Sequence, residues 1–292
     1  MALRDDILKI RQLMDKRANM SDILKAYSQA LDDVRTEMAK IYAQHMVDGK
    51  LQVNLQQRYT ILQRLEKKLT QMYQKLGEVD FDTTSKILYD IYSESYYRTA
   101  YAIDRGMTVE IAFNILPPEM INAAVNTPID GTMFSDRIWH NKEVLVNRLR
   151  NLLEKAIIQG TDPQKLAKLL KDEFGVSANE SKRLINTELA RVVSQANDSI
   201  YKQSKVVTQV MWDSTLDNKT SQICRHLDGQ KWNVNANHPT PPAHPHCRSC
   251  LIPIVPGWKP TIKRENIKGS YGNKPIINYS TYETWKKSRN ID

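Results

Sequence analysis

The residues of this chain that could do chemistry are concentrated in one stretch, which runs from Asp213 to Val255. All three cysteines of the chain and four of its six histidines lie inside this stretch. They are Cys224, Cys247 and Cys250, together with His226, His238, His244 and His246. Thiolate and imidazole groups are the ligands that zinc prefers in proteins, so this stretch is the candidate functional site of the chain.

The spacing of these residues predicts a metal site. Two residues between Cys247 and Cys250 allow both thiolates to reach one ion from a tight turn, and Cys224 precedes them by a gap usual in structural zinc sites. A fourth ligand is available from His226, His244 or His246, of which His244 is the predicted one and His226 its first alternative. We therefore predict a structural zinc ion held by Cys224, His244, Cys247 and Cys250. Reduced thiols without a metal, or a disulfide, are the competing interpretations of the same residues.

Two catalytic interpretations of this stretch rest on less specific patterns. The run Asn235-Ala-Asn237-His238 is similar to a one-metal nuclease site, in which a histidine activates water and a cation holds the phosphate. A cysteine nucleophile with a histidine base is the other, but three cysteines beside several histidines favour metal binding. No Walker loop, GxGxxG, HExxH or GxSxG motif is present, so we do not predict an enzyme. Three nearby acids are predicted to pack helices and cap turns: Glu188, Asp213 and Asp217.

Charge points to a second possible binding region at the end of the chain. The formal net charge is +9, and lysine and arginine outnumber the acids from Lys259 onward. Contacts with DNA phosphates are one interpretation, and a solvated tail that keeps the protein soluble is the other. The candidate DNA-binding residues are Lys259, Lys263, Arg264, Lys268, Lys286, Lys287 and Arg289.

Length and hydrophobicity limit the class of protein. A chain of 292 residues can form one large domain or two ordinary ones. It contains no apolar run of about 18 residues, so we predict no membrane anchor. The first residues, MALRDDILKIRQ, are charged and amphipathic, unlike a signal peptide, and we expect synthesis in the cytoplasm.

Hydrophobic periodicity predicts helices through the first part of the chain. Apolar residues at steps of three and four predict a helix over residues 3–17 and another from Ser21 to a break at Asp48-Gly49. The pattern resumes at Leu55 and ends at Gly77, which predicts a helical hairpin. A third helix over residues 85–105 is rich in tyrosines, which either pack in the core or grip a partner. These tyrosines are Tyr89, Tyr92, Tyr96, Tyr97 and Tyr101.

The second part of the chain also begins with helices. After a loop at residues 126–135, Ser135 opens a helix that Gly160 closes. Pro163 opens the next helix and Gly175 ends it. A capping box at residues 177–180 starts a further helix that runs to about residue 205.

Short strands are predicted to follow these helices. Residues 206–212 and 251–255 are β-branched and apolar, and Asp228-Gly229 is a hairpin signal. The predicted fold class is therefore mainly α: an N-terminal helical bundle or hairpin, then a helical domain with a small C-terminal β element held by zinc.

The order of several short motifs resembles the phage Mu F-type head morphogenesis domain. The resemblance covers roughly residues 135–255, and the combination of motifs is more specific than any one of them. The motifs are Asn186-Thr187-Glu188, Trp212-Asp213-Ser214, Asp217-x-x-Thr220, Cys224-x-x-Leu227-Asp228-Gly229 and Pro241-Pro242-x-His244-Pro245-x-Cys247-Arg248. The chain departs from the family at Asn186, where the family often has arginine, and at Ser221, where it often has cysteine. Cys250 would then have to supply the missing sulfur.

The resemblance implies a minor head (minor capsid) protein of a tailed phage, and not an enzyme. It implies work in head assembly at the portal vertex, with DNA packaging or delivery as a further role. The implied partners are the portal protein, a major capsid or scaffolding protein, and packaged double-stranded DNA. The implied location is the virion, in the head interior or at the portal vertex, after assembly in the host cytoplasm. A metal-dependent nuclease or a DNA-binding zinc module is the alternative.

Three parts follow from this interpretation. Residues 1–126 would be a helical docking region, residues 135–255 the head morphogenesis domain, and residues 256–292 a basic irregular tail. Long amphipathic helices present ridges and grooves to partners, which is why the docking role is given to the first part.

Overall fold

The computed structural model describes residues 2–47, 50–107, 113–258, 260–266 and 275–289. The chain is mainly α-helical with small antiparallel sheets, which confirms the predicted fold class. Within the described ranges, no helix is both long enough and apolar enough to cross a membrane.

The helices and strands have the following bounds. The helices are α1 (Ala2–Arg17), α2 (Ser21–His45), α3 (Leu55–Met107), α4 (Pro118–Val125), α5 (Phe134–Gln159), α6 (Pro163–Gln203), α7 (Gln222–Leu227) and α8 (Tyr282–Ser288). The strands are β1 (Met46–Val47), β2 (Lys50–Leu51), β3 (Gln209–Asp213), β4 (Lys231–Asn233), β5 (Cys250–Ile254), β6 (Ile262–Arg264) and β7 (Ile276–Asn278).

The chain divides into two compact units, and neither is continuous in sequence. We call residues 1–18, 88–126 and 186–292 the motif unit, because it contains the cysteine–histidine stretch. Residues 19–87 and 127–185 form the helical unit. The docking region, head morphogenesis domain and tail predicted from the sequence are functional parts. Their roles stay predictions.

The helical unit is built on the apolar faces of long amphipathic helices. In α2 the buried side chains recur every three or four residues, from Ile23 and Tyr27 through Val34 to Ile41. They join apolar residues of α3, α5 and α6 in one continuous core. Each buried aliphatic or aromatic side chain contributes about 1.5–3 kcal/mol relative to its exposed state, so apolar burial is the main stabilising term of this unit.

Two predicted helix ends are wrong, because glycine does not interrupt either helix. α3 continues through Gly77, where a Cβ atom would lie 2.0 Å from the Trp139 ring. The glycine there admits the indole instead of ending the helix. α6 likewise continues through Gly175, and the predicted capping residue Ser177 is buried inside it. The Ser177 hydroxyl lies 3.0 Å from the Tyr27 hydroxyl. The predicted end of α5 at Gly160 is correct, with a left-handed φ of 63°.

One buried ion pair interrupts the apolar core of the helical unit. Lys142 and Asp80 are both only 1% exposed and are hydrogen-bonded to each other. The Lys142 ammonium also donates to the hydroxyls of Tyr27 at 2.6 Å and Ser181 at 2.9 Å. Burial alone would lower the pKa of Lys142, but the nearby Tyr27 and Asp80 raise it, so the lysine stays charged.

The motif unit contains the main sheet, which has the strand order β4-β3-β5 and is antiparallel throughout. β3 is central and buried, and Trp212 is its largest fully buried side chain. The hairpin predicted at Asp228-Gly229 is wrong. The residues before it belong to α7, and β4 pairs with the distant β3 instead.

The last part of the chain is not irregular, contrary to prediction. β6 and β7 form an antiparallel pair, and α8 follows them. Thr281 caps α8 by accepting from the Thr284 backbone N–H, and Tyr282 and Trp285 are buried. The Trp285 indole donates to Glu265 at 2.7 Å. The described tail residues are therefore packed into the motif unit.

Candidate metal centre and the residues around it

Three of the predicted ligands come together in the motif unit. The Cys224 sulfur lies 3.2 Å from Nε2 of His244 and 3.7 Å from the Cys247 sulfur. All three donor atoms lie within 4.8 Å of one another. Around a tetrahedral zinc with Zn–S bonds of about 2.3 Å, two sulfurs are about 3.8 Å apart, so the spacing fits a single metal ion.

Local structure holds each ligand in place. Cys224 lies in the first turn of α7, where the Ser221 side chain accepts from its backbone N–H. His244 and Cys247 lie in the turn before β5, which the Cys247 N–H closes by donating to the His244 carbonyl at 3.1 Å. The peptide bond between Pro241 and Pro242 in the same loop is cis.

The hydrogen bonds around the cluster prepare it for a cation. His244 Nδ1 lies 2.8 Å from the Pro245 carbonyl, so Nδ1 carries the proton and the Nε2 lone pair faces Cys224. The hydrogen bond from the Cys224 thiol lowers the pKa of Cys247, and the backbone N–H groups of Ala243 and Ser249 add to this effect against the cost of burial. A thiolate and a neutral imidazole are the forms that bind a soft metal.

Cys250 lies outside the cluster, contrary to the prediction. It begins β5 opposite Asp213 and packs with Met211 and Ile252. Its thiol is buried, which raises its pKa to about 12. The two-residue spacing fails to make a knuckle because the second cysteine already belongs to the strand. His226 also lies outside the cluster. It is exposed on α7, and because it follows Cys224 by two positions it lies on another side of the helix.

The nuclease pattern is not assembled at the cluster. The His238 side chain is only 2% exposed and lies 3.6 Å from Asp198 in α6. Its ring stacks on Trp232, and it is absent from the group of metal-ligand candidates among the described residues. Asn235 and Asn237 are exposed. His238 therefore does not lie beside this metal site as a histidine that could activate water.

The acids of the motifs are bound to basic side chains. Glu188 is fully buried and accepts from Arg191 at 2.6 Å, and Arg191 reaches the carbonyl groups of Ala124 and Val125 at the end of α4. Asp213 accepts from Arg4 at 2.8 Å. These contacts agree with the predicted structural roles of the acids.

Asp217 holds the loop that follows β3. Arg248 and Asn266 donate to its carboxylate, as do the Thr220 hydroxyl and the Lys219 backbone N–H. Burial would raise the pKa of Asp217, but these hydrogen bonds lower it well below its ordinary value. The Asp-x-x-Thr motif and the final arginine of the histidine motif therefore meet in one structural contact.

Asp228 joins several segments of the motif unit. It accepts from the backbone N–H groups of Ser214 and Tyr282 and from the Lys263 ammonium at 2.9 Å. Sequence reasoning treated Asp228 only as part of a turn and did not find Arg4, which contacts the motif from α1. The Leu-Asp-Gly motif was the available signal for Asp228, whereas no local pattern marks Arg4.

The structure limits the predicted DNA contacts. Lys263 is 1% exposed and paired with Asp228, so it cannot reach a phosphate in this fold. Arg289 is partly exposed and bonded to Glu265. Lys286 and Lys287 lie in the last turn of α8, and Lys287 is exposed. Lys259, Lys268 and the side chain of Arg264 lie outside the described residues.

Comparison with known proteins identifies the domain that carries this site. Residues 147–252 match the family model described as "Phage Mu protein F like protein", and the three clustered ligands lie inside the match. The head morphogenesis family suggested by the motif order is thereby confirmed. Residues 147–252 of the chain are thus similar to the phage Mu F-like family.

Two relatives extend the comparison beyond the domain. The chain is 23% identical to "Minor head protein GP7" of Bacillus phage SPP1 over 91% of both chains. It is 21% identical to "NAD(+)--arginine ADP-ribosyltransferase EFV" of Enterococcus faecalis, over 67% of this chain and 42% of that protein. No solved structure matches the chain.

Proposed function

We propose that this protein is a minor head protein of a tailed phage and that it acts in head assembly. The observation that carries the proposal is the similarity to a minor head protein over 91% of both chains, which includes the helices outside the family match. A likeness confined to the Mu F-like domain would support a shared domain only. An alignment of this length supports a shared role for the whole protein.

The chemistry of the motif unit favours a structural role over an enzymatic one. Asp213, Asp217 and Glu188 are held by arginines, and none of them faces the thiol–imidazole cluster as a free base among the contacts described above. The ADP-ribosyltransferase relative is more than twice as long as the part of it that this chain matches. Its activity is therefore not proposed for this chain.

We infer that the metal is zinc and that its role is structural. Two cysteines and one histidine are soft ligands that suit zinc, and the residues that carry them join α7 to the turn before β5. Three protein ligands leave one coordination position for water or another donor. A bound ion would hold these two short segments together and would therefore add stability to the motif unit.

The site of action is proposed to be the portal vertex, with the portal protein and a major capsid or scaffolding protein as partners. The helices outside the Mu F-like domain would provide the docking region. Packaged DNA is a further proposed partner, through Lys286 and Lys287 of α8, and the location is the virion after assembly in the host cytoplasm.

Mass spectrometry of purified heads tests this function. Heads produced from the genome that encodes this protein should contain it in a low copy number, and in a fixed ratio to the portal protein. Deleting its gene should reduce the yield of infectious particles, and a plasmid copy should restore it. Absence of the protein from wild-type heads would contradict the proposed function.

A further inference from the structure

Tyr89 of the predicted cluster on α3 is half-buried, and the other four tyrosines form two pairs. Tyr92 and Tyr96 are buried in the motif unit, at 3% and 0% exposure. Tyr97 and Tyr101, one helical turn apart, are 38% and 64% exposed. The core interpretation of the tyrosine cluster therefore holds for the first pair only, and the second pair needs a different explanation.

Apolar side chains extend the surface around the exposed pair. The Tyr97 ring packs edge-on against Phe113, with 6.3 Å between ring centroids, and its hydroxyl accepts from the Leu116 N–H at 3.1 Å. Phe113 is 41% exposed and Ile115 is 83% exposed. A contiguous exposed patch of large apolar residues marks an interaction site more often than an isolated one does.

A groove runs beside Tyr101 between α1 and α3. Its volume is about 210 Å³. Ile10, Leu13 and Ala102 contribute apolar atoms to its lining, and Tyr101 forms one wall. A groove of this kind between two helices matches the way in which an amphipathic helix is bound, with its apolar face inserted.

Cations surround the groove. Lys9, Arg98 and Arg105 are 74%, 43% and 57% exposed. The acids beside them are less exposed and already paired: Asp6 with Arg105 at 3.0 Å, and Glu94 with Arg98 and Arg17. The rim therefore presents net positive charge to a ligand in the groove, and tyrosine with arginine is the composition typical of interface centres.

We propose that this surface, the tyrosine groove (Lys9, Ile10, Leu13, Arg98, Tyr101 and Arg105), binds an amphipathic helix of another head protein. The helix carries an apolar stripe that fills the groove and acidic residues beside the stripe that pair with the cationic rim. The inference rests on the proposed function in one respect, which is that the partner is found in assembling heads.

Charge and polarity favour an acidic amphipathic helix over two other occupants of the groove, a second copy of the chain and double-stranded DNA. A second copy of the chain would bring its own Arg98 and Arg105 to the same rim in a two-fold contact, so like charges would meet. Double-stranded DNA would use the cations but would leave the apolar lining exposed to water, since its affinity comes mainly from phosphate contacts. An acidic amphipathic helix satisfies both features.

A photo-crosslinking amino acid at position 101 tests the proposal in assembling heads. The side chain at this position is exposed, so the replacement does not disturb the core. The matched control carries the same amino acid at Val176 in α6, which is 45% exposed and lies outside the predicted docking region. Crosslinked peptides are identified by mass spectrometry after irradiation.

The expected product at position 101 is one recurrent peptide of a different head protein, predicted from its sequence to be an acidic amphipathic helix, and absent from the position 176 control. Crosslinks to a second copy, to DNA, or to the same products as the control would overturn the proposal. The proposed function fails separately, if the wild-type protein is absent from heads.

Charge reversal provides the second readout. Arg98→Glu with Arg105→Glu should reduce the crosslink yield at position 101 about tenfold, because charges of like sign then meet across the interface. Arg98→Lys with Arg105→Lys should retain most of the yield. Circular dichroism confirms that both variants are folded. An unchanged yield in the folded reversal variant would contradict the acidic character of the partner.

Discussion

Different kinds of interaction stabilise the interior of the helical unit and the segments of the motif unit that carry the family motifs. The helical unit has one continuous apolar core from four helices, with the Lys142–Asp80 pair as its buried ionic contact. The motif unit also buries apolar side chains of α1, α3 and α6, but its segments that carry the family motifs are connected by charged hydrogen bonds around Asp217 and Asp228 and by the thiol–imidazole cluster. Long helices can bury enough apolar surface to be stable, whereas short irregular segments need specific polar or metal contacts.

This comparison explains why the family motifs lie where they do. Periodic apolar positions tolerate many residue types, so the core of the helical unit leaves no short motif in the sequence. Residues such as Asp217 and Arg248 must match one another in charge and geometry, and such positions form a recognisable pattern.

The largest expected effect of a single substitution is at the buried ion pair of the helical unit. Lys142→Ala leaves the Asp80 carboxylate buried without its cation and should cost about 3–5 kcal/mol of unfolding free energy. Urea denaturation measures this loss. Lys25→Ala, at a lysine that is 80% exposed, should change stability by less than about 0.5 kcal/mol.

A double variant sharpens this test of the helical unit. Lys142→Met combined with Asp80→Asn removes both charges and should recover part of the loss, because no buried ion is then left unpaired. If Lys142→Ala itself has no more effect than Lys25→Ala, the ion pair does not stabilise the core, and the description of this unit is wrong.

Two smaller effects on stability, of opposite sign to each other, are expected at two helical glycines. Gly77→Ala places a methyl group 2.0 Å from the Trp139 ring and should destabilise the protein by about 1–3 kcal/mol through overpacking. Gly175→Ala meets no atom within 4 Å and should stabilise by about 0.5–1 kcal/mol, because alanine favours the helix. Thermal unfolding of both variants measures the difference, and the same sign for both would contradict the packing argument.

Much of this fold could be predicted from local sequence patterns, and the errors have physical causes. Apolar periodicity predicts the helices, but the helix ends predicted at Gly77 and Gly175 are wrong, since a sequence does not show whether glycine faces a neighbouring ring or solvent. The hairpin predicted at Asp228-Gly229 is wrong for another reason: the turn is local, but the pairing of β3 with β4 is not.

The candidate site was only partly predictable. Cys224, His244 and Cys247 were identified from residue type and spacing, and they come together. Spacing also indicated Cys250, but whether the second cysteine of such a pair turns towards the ion depends on where β5 begins. The burial of Lys263 beside Asp228 depends on the packing of β6, which charge counting does not reveal.

The most direct test of the metal centre is elemental analysis of the purified protein and two cysteine variants. We predict about one zinc per chain in the wild type, little or none in Cys247→Ser, and an unchanged amount in Cys250→Ser, since Cys250 lies in β5 and outside the cluster. The melting temperature should fall with zinc loss in Cys247→Ser. Absence of metal from the wild type, or its loss in Cys250→Ser, would contradict the assignment of Cys224, His244 and Cys247 as the metal ligands.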